Sequence, residues 1–279
     1  MANKTVDVKQ MTVVWYVDDL KIFHENGDTV DALINKISER YVKEEDLTTQ
    51  QGKVHEYLGM KLDYREQGKV KIDMTDDLNK IPDNLTDKYQ GRDTTPEANH
   101  LFKVNKTTRN LSEKDAQAFH TIVEKLIFLC KRSQTDILTR VAFLTMRVRE
   151  PDEDDENKLL RILKYLSGTR DLILTLESDG TGTVKWCVEA ALTVHHDIKS
   201  HTGRTMSMGR GALYSVSSKQ KLNMKSSTKA ELVGVDDLTP QILWMRYFME
   251  AQGMKVSDNV VYQDNQSAMK LEKKWKSIK

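Results

Sequence analysis

The chain has 279 residues, of which 38% are hydrophobic and 30% charged, and its formal net charge is +1. This length suits two domains, or one with appendages, and the near-zero balance means that any basic surface must be local. Cys130 and Cys187 stand far apart and outside any metal spacing. That argues against a disulfide framework and a structural zinc site. No apolar run approaches a membrane span and no signal-peptide pattern opens the chain, so a soluble, intracellular protein (cytoplasmic or nuclear) without a membrane partner is expected.

In chain order, Val13–Val17 and then Leu20, Ile22 and Phe23 read as two strands around the adjacent acids Asp18 and Asp19. That pattern predicts a hairpin with the acids at its tip. Paired carboxylates at a strand turn suit hard cations, as Mg²⁺-assisted phosphoryl transfer requires. Val30, Leu33, Ile34, Ile37 and Tyr41 fall at helical spacing after Asp28. His55–Leu62 and Val70–Met74 alternate as strands, and residues 76–110, with Pro82 and Pro96, read as a connector holding one short helix. Ser112, with Asp115 three residues on, predicts the capped start of a helix whose stripe is Phe119, Ile122, Val123, Leu126, Ile127 and Cys130. A second helix carries Ile137, Leu138, Val141 and Leu144. A third starts at Pro151 and the acidic run 152–156, where negative charge suits the helix dipole.

From Leu172 the character changes. Strands are expected at Leu172–Leu176, Val184–Val188, Thr205–Met208, Ala212–Val216 and Val260–Gln263. Helices are expected from Ser227 to Gln252, perturbed at Pro240, and from Ser267 onward. The whole reads as an α/β protein in three parts: 1–107, 108–178 and 179–279. Glu189 follows one strand, Asp264 follows another, and Glu231 lies early in the long helix. One sheet can bring the first two side by side and a helix across it can add the third. Such a cluster does not easily stay ionised unless cations neutralise it, the logic of a two-metal site.

Tyr16-Val17-Asp18-Asp19-Leu20 resembles the catalytic hairpin of reverse transcriptases. Tyr57-Leu58-Gly59-Met60 resembles the strand motif that follows it, and Arg161–Thr169 resembles the Leu-Arg-Tyr-Leu-Lys-Gly-Thr signature of copia-type retrotransposon polyproteins. Lys131–Ile137 stands where that family has a Thr-Arg-Pro-Asp-Ile type segment. Asp197–Gly203, Ser217–Lys221, Ser226–Leu232 and Asp264–Ala268 occur in order, as in the family's ribonuclease H domain. The resemblance implies a palm remnant, a helical thumb or connection and a mixed-sheet ribonuclease H domain, acting on RNA–DNA hybrids with Mg²⁺. Carried over by position, Asp18 and Asp19 match polymerase metal ligands, and Glu189, Glu231 and Asp264 match nuclease metal ligands. Tyr57, Gly59, Lys219, Gln220, Lys221, Ser227, Asn265 and Gln266 match nucleic-acid contacts.

The chain departs from the pattern in four ways. Only seventeen residues precede Asp18, so the upstream strand with the first polymerase Asp, part of the parent polyprotein, is missing. Glu189 stands where the family has Asp, and Lys229 where it has Glu. The family pattern continues past Lys279 to a fourth carboxylate and a closing helix. These departures predict no polymerase activity and weak nuclease activity. Three readings stay open: an impaired reverse transcriptase–ribonuclease H fragment, a hybrid-binding remnant without catalysis, and a decayed element without function.

Overall fold

A computed structural model describes residues 1–41, 47–81, 91–97 and 100–275. Pro82 of the expected connector and the C-terminal Lys276 and Lys279 lie outside the described residues. The protein is a mixed α/β fold with three sheets.

The first sheet is the meander β1 (Ala2–Val6), β2 (Lys9–Tyr16) and β3 (Asp19–Phe23). The expected hairpin forms, but its tip is one residue earlier than expected: Tyr16 pairs with Asp19, so Val17 and Asp18 make the two-residue turn and Asp19 opens β3. Val17 turns the chain at φ 54°, a left-handed conformation that a β-branched residue rarely adopts. Helix α1 (Gly27–Tyr41) follows.

The second sheet is built from distant parts of the chain. Strands β4 (Val54–Tyr57), β5 (Met60–Asp63) and β6 (Lys69–Asp73) form a meander, and a short helix α2 (Thr75–Asn79) leaves it. Strand β7 (Leu174–Ser178) pairs with β6, setting Leu176 opposite Val70 and Leu174 opposite Ile72.

Between β6 and β7 the chain folds a helical unit of α3 (Glu113–Cys130), α4 (Leu138–Thr145) and α5 (Glu153–Gly168). Ser112 caps α3 by accepting the Asp115 amide, and Asp152 with Asp155 forms a full capping box on α5. The expected stripe of α3 is buried except for the half-buried Ile127, and it packs with Val141 and Leu144 of α4 and Ile162 and Leu163 of α5. Buried side chains of this size contribute roughly 1.5–3 kcal/mol each.

The third sheet has the order β11-β9-β8-β12. Its members are β8 (Thr183–Ala191), β9 (His201–Ser207), β11 (Tyr214–Lys219) and β12 (Asp258–Tyr262), the last parallel to β8. A two-residue strand β10 (Gly209–Arg210) leaves this sheet to pair with β7, joining it to the second sheet. Helix α6 (Ser227–Ala251) lies across β8, and α7 (Gln266–Trp275) follows β12. Val184, Trp186 and Val188 of β8 form a second core with Met206 and Leu238.

Besides the shifted hairpin tip and strand β11, which runs two to three residues later than expected, two expectations differ from the structure. Helix α6 runs unbroken through Pro240, whose helix is held on the sheet side by Leu238 and by Arg204, which donates to the Asp237 carbonyl. The strand expected at Thr205–Met208 begins earlier, at His201, and His201 and Thr202 are buried polar residues. No helix among the described residues is long and apolar enough to cross a membrane.

Candidate metal centre

Three elements bring Glu189, Glu231 and Asp264 together. Parallel pairing of β12 with β8 sets Tyr262 beside Cys187. Two residues on, Asp264 comes alongside Glu189. Helix α6 supplies Glu231 from its second turn, after Ser226 caps the helix by accepting the Lys229 amide. Gly234 lets α6 sit close to the sheet: a Cβ there would stand 3.1 Å from Val188 Cγ2 and 3.2 Å from Thr202 Cγ2. One oxygen from each carboxylate lies within 4.8 Å of the others. Among the described residues this is the one such group of three or more potential ligands.

Glu231 is buried, at 4% exposure, while Glu189 and Asp264 face solvent. Its Oε1 accepts the Ala190 amide at 3.0 Å and its Oε2 accepts the Gln263 side-chain amide at 3.0 Å. Partial burial, then the negative charges of Asp264 and Glu231, raise the Glu189 pKa. A shared negative site on the floor of an open cleft suits a divalent cation, and three carboxylates offer the oxygen ligands that Mg²⁺ prefers. The cleft, of about 710 Å³, is walled by Thr135 and Thr139 from the helical unit, by Arg204 and Ser217 from the sheet, and by the two exposed acids.

A second buried cluster joins the helical unit to the third sheet. His195 Nε2 lies 3.0 Å from His201 Nδ1, His201 Nε2 lies 2.6 Å from Ser217 Oγ, and Ser217 donates to Thr139 Oγ1 of α4 at 3.1 Å. Phe102 packs on both imidazoles at centroid distances of 4.9 and 5.0 Å. Burial lowers both imidazole pKa values to about 4, with Lys219 adding to the shift of His195 and His195 to that of His201.

The other expected site residues divide by position. Asp18 and Asp19 lie exposed on the β2–β3 hairpin and belong to no group of three potential ligands among the described residues. Tyr57 and Gly59 bracket the β4–β5 turn, where Gly59 adopts φ 73° against Phe128. Lys219 is half-buried and ion-paired with Asp197 at 2.8 Å, while Lys221 and Ser227 are exposed. Gln220 is 3% exposed and donates to Thr202 Oγ1 and the Ala230 carbonyl, so its side chain ties β9 to α6 instead of facing solvent. Asn265 accepts the Ala268 amide and caps α7, on which Gln266 is exposed. Sequence reasoning passed over Gln263 and the Ala190 amide. A backbone donor has no sequence signal, but a polar Gln closing an apolar strand just before Asp264 is one.

No family model and no solved structure matches the chain. Among curated proteins, it is 27% identical over 266 residues to the "Retrovirus-related Pol polyprotein from transposon TNT 1-94" of Nicotiana tabacum, covering 92% of this chain and 19% of that protein. It is 28% identical over 264 residues to the "Retrovirus-related Pol polyprotein from transposon RE2" of Arabidopsis thaliana, covering 92% and 17%. It is 25% identical over 229 residues to a "Putative transposon Ty5-1 protein" of Saccharomyces cerevisiae, covering 81% and 72%. The chain thus spans about a fifth of the length of the two plant polyproteins. Its homologues, at low identity over most of its length, are retrotransposon polyproteins of the Ty1/copia type.

Proposed function

We propose that this chain is the part of a copia-type retroelement polyprotein that carries a ribonuclease H-like unit, and that Glu189, Glu231 and Asp264 hold Mg²⁺ for cleavage of the RNA strand of an RNA–DNA hybrid. The observation that carries the reading is the meeting of three carboxylates from β8, α6 and the β12–α7 turn within 4.8 Å. The ordered motifs and the polyprotein homologues favour the same reading. When bound, divalent cations in such a site supply an activated water and charge stabilisation at phosphorus. The chain's own residues orient the site. Glu231 is held rigid by two donors, and Glu189 and Asp264 present their oxygens to the open cleft. Exposed Lys221, Lys225 and Lys229 on the β11–α6 segment are placed to meet phosphates. The isolated Asp18 and Asp19 receive no role in nucleotide addition under this reading.

Glu189 bears on rate. A carboxylate one methylene longer than the family's Asp reaches past the roughly 0.5 Å tolerance of a preorganised site. Incubation of the full chain with a labelled hybrid and Mg²⁺ or Mn²⁺ tests the proposal. Slow cleavage is expected, abolished by Glu231→Gln and raised about tenfold by Glu189→Asp. Hybrid affinity should fall about tenfold between about 50 and about 200 mM salt, as release of two or so phosphate counterions requires. Cleavage that survives Glu231→Gln would refute this assignment. Salt-sensitive binding with no cleavage, even in Glu189→Asp, would favour the binding-only reading, for which the exposed lysines are the supporting observation.

A further inference from the structure

We propose that Gln263 is the positioning residue of the carboxylate cluster, setting Glu231 and Asp264 at a common spacing through a single side-chain amide. The inference rests on the metal-centre reading and adds a residue that does not itself touch the cation. Gln263 follows Tyr262, the last residue of β12, and immediately precedes Asp264. Its Oε1 accepts the Asn265 backbone amide at 2.9 Å, and its Nε2 donates to Glu231 Oε2 at 3.0 Å. The two partners determine which end of the amide is which, because a backbone N–H needs an acceptor and a carboxylate needs a donor.

One side of this amide therefore shapes the turn that carries Asp264, and the other grips the carboxylate arriving from α6. The hold extends both ways. The Asn265 side chain accepts the Ala268 amide at 3.0 Å and starts α7, while the Ala190 amide, next to Glu189, holds the other oxygen of Glu231 at 3.0 Å. The Glu231 carboxylate is thus tied to the backbone next to Glu189 and, through Gln263, to the turn that carries Asp264. The choice of residue type matters as well. A Lys or Arg at this position would grip Glu231 equally well but cancel the charge that attracts a cation. A neutral amide orients Glu231 and leaves its charge intact. Each carboxylate oxygen has two acceptor positions, and these two bonds use one on each, leaving one per oxygen for a cation.

The test uses the full chain and Mn²⁺ alone, with affinity read from the loss of the free Mn²⁺ paramagnetic resonance signal. Gln263→Met keeps the length of the side chain and removes both hydrogen bonds; it should weaken Mn²⁺ binding about tenfold. Gln263→His retains one ring acceptor and one ring donor and should stay within about threefold of the wild type. Gln263→Asn, too short to span both partners, should fall between them. A purely structural role would not produce rescue by His. If Gln263→Met does not fold, the order Gln, His, Asn carries the test. Equal affinity in all the Gln263 variants, with Glu231→Gln losing Mn²⁺, overturns the inference alone. Equal binding by the wild type and Glu231→Gln overturns the metal-centre reading and the inference with it.

Discussion

At the residue scale, the cation-free cluster is a source of strain. Glu189 holds its proton more tightly in the folded chain than in the unfolded one, because of partial burial and the charges of Asp264 and Glu231. A raised carboxylate pKa contributes stability that is present below the unfolded value and is lost as pH rises through the folded value. At neutral pH the ionised group is therefore a net cost, reduced by its exposure to solvent. Glu189→Gln should raise the thermal midpoint in chelator by about 1–2 °C and, under the proposed metal-binding role, should gain less from added Mg²⁺ than the wild type. A midpoint lowered by Glu189→Gln in chelator would contradict this. The ordered motifs of the sequence single out the three acids that the fold brings together, although Glu189 lies within β8 and not at its end. The hydrogen bonds that orient them were not legible in the sequence, since a backbone amide such as that of Ala190 has no signature of its own.

At the element scale, α6 is the part that decides whether Glu231 reaches the site. Its seat on the sheet depends on Gly234, where an added methyl would press Val188 and Thr202. Alanine gains helix propensity of about 1 kcal/mol over glycine, but overpacking costs typically 1–3 kcal/mol. Gly234→Ala should therefore lower stability by about 1 kcal/mol and weaken Mn²⁺ binding several-fold by displacing Glu231. Denaturant unfolding and the same resonance titration measure the two effects, and an unchanged Mn²⁺ affinity would show that the helix is not so constrained. Elements with an apolar stripe, such as α3 and α5, were readable from periodicity and caps. The start of β9 was not, because its inward side chains are polar. His201 meets His195 and Ser217, and Thr202 accepts from Gln220, so two buried strand residues look like a hydrophilic loop. Strand β1, Ala2–Val6, also has no apolar alternation and depends on pairing with β2.

At the scale of the whole molecule, the helical unit and the third sheet meet through the His195–His201–Ser217–Thr139 chain, packed beneath Phe102. Phe143 of α4 also faces His195, and the nearby charges are those of Lys219, Asp197 and His196. Both imidazoles have pKa values near 4 when folded and near 6.5 when unfolded. The unfolded chain thus takes up protons first, and stability that is complete above about pH 6.5 is lost as pH falls towards 4. Urea midpoints should drop steadily across that window, and a His195→Gln, His201→Gln double variant should show a shallower fall. A wild-type midpoint that stays flat from pH 7 to 4.5 would contradict the neutral, buried state of the pair. The pairing of β6 with β7 has a kinetic consequence. These neighbouring strands are about a hundred residues apart in sequence, with α3, α4 and α5 between them. Closing so long a loop carries an entropy cost that a preformed helical unit would reduce. The five-stranded sheet is therefore a late product of folding, and while the chain emerges from the ribosome the open edge of β6 waits exposed for a partner not yet synthesised.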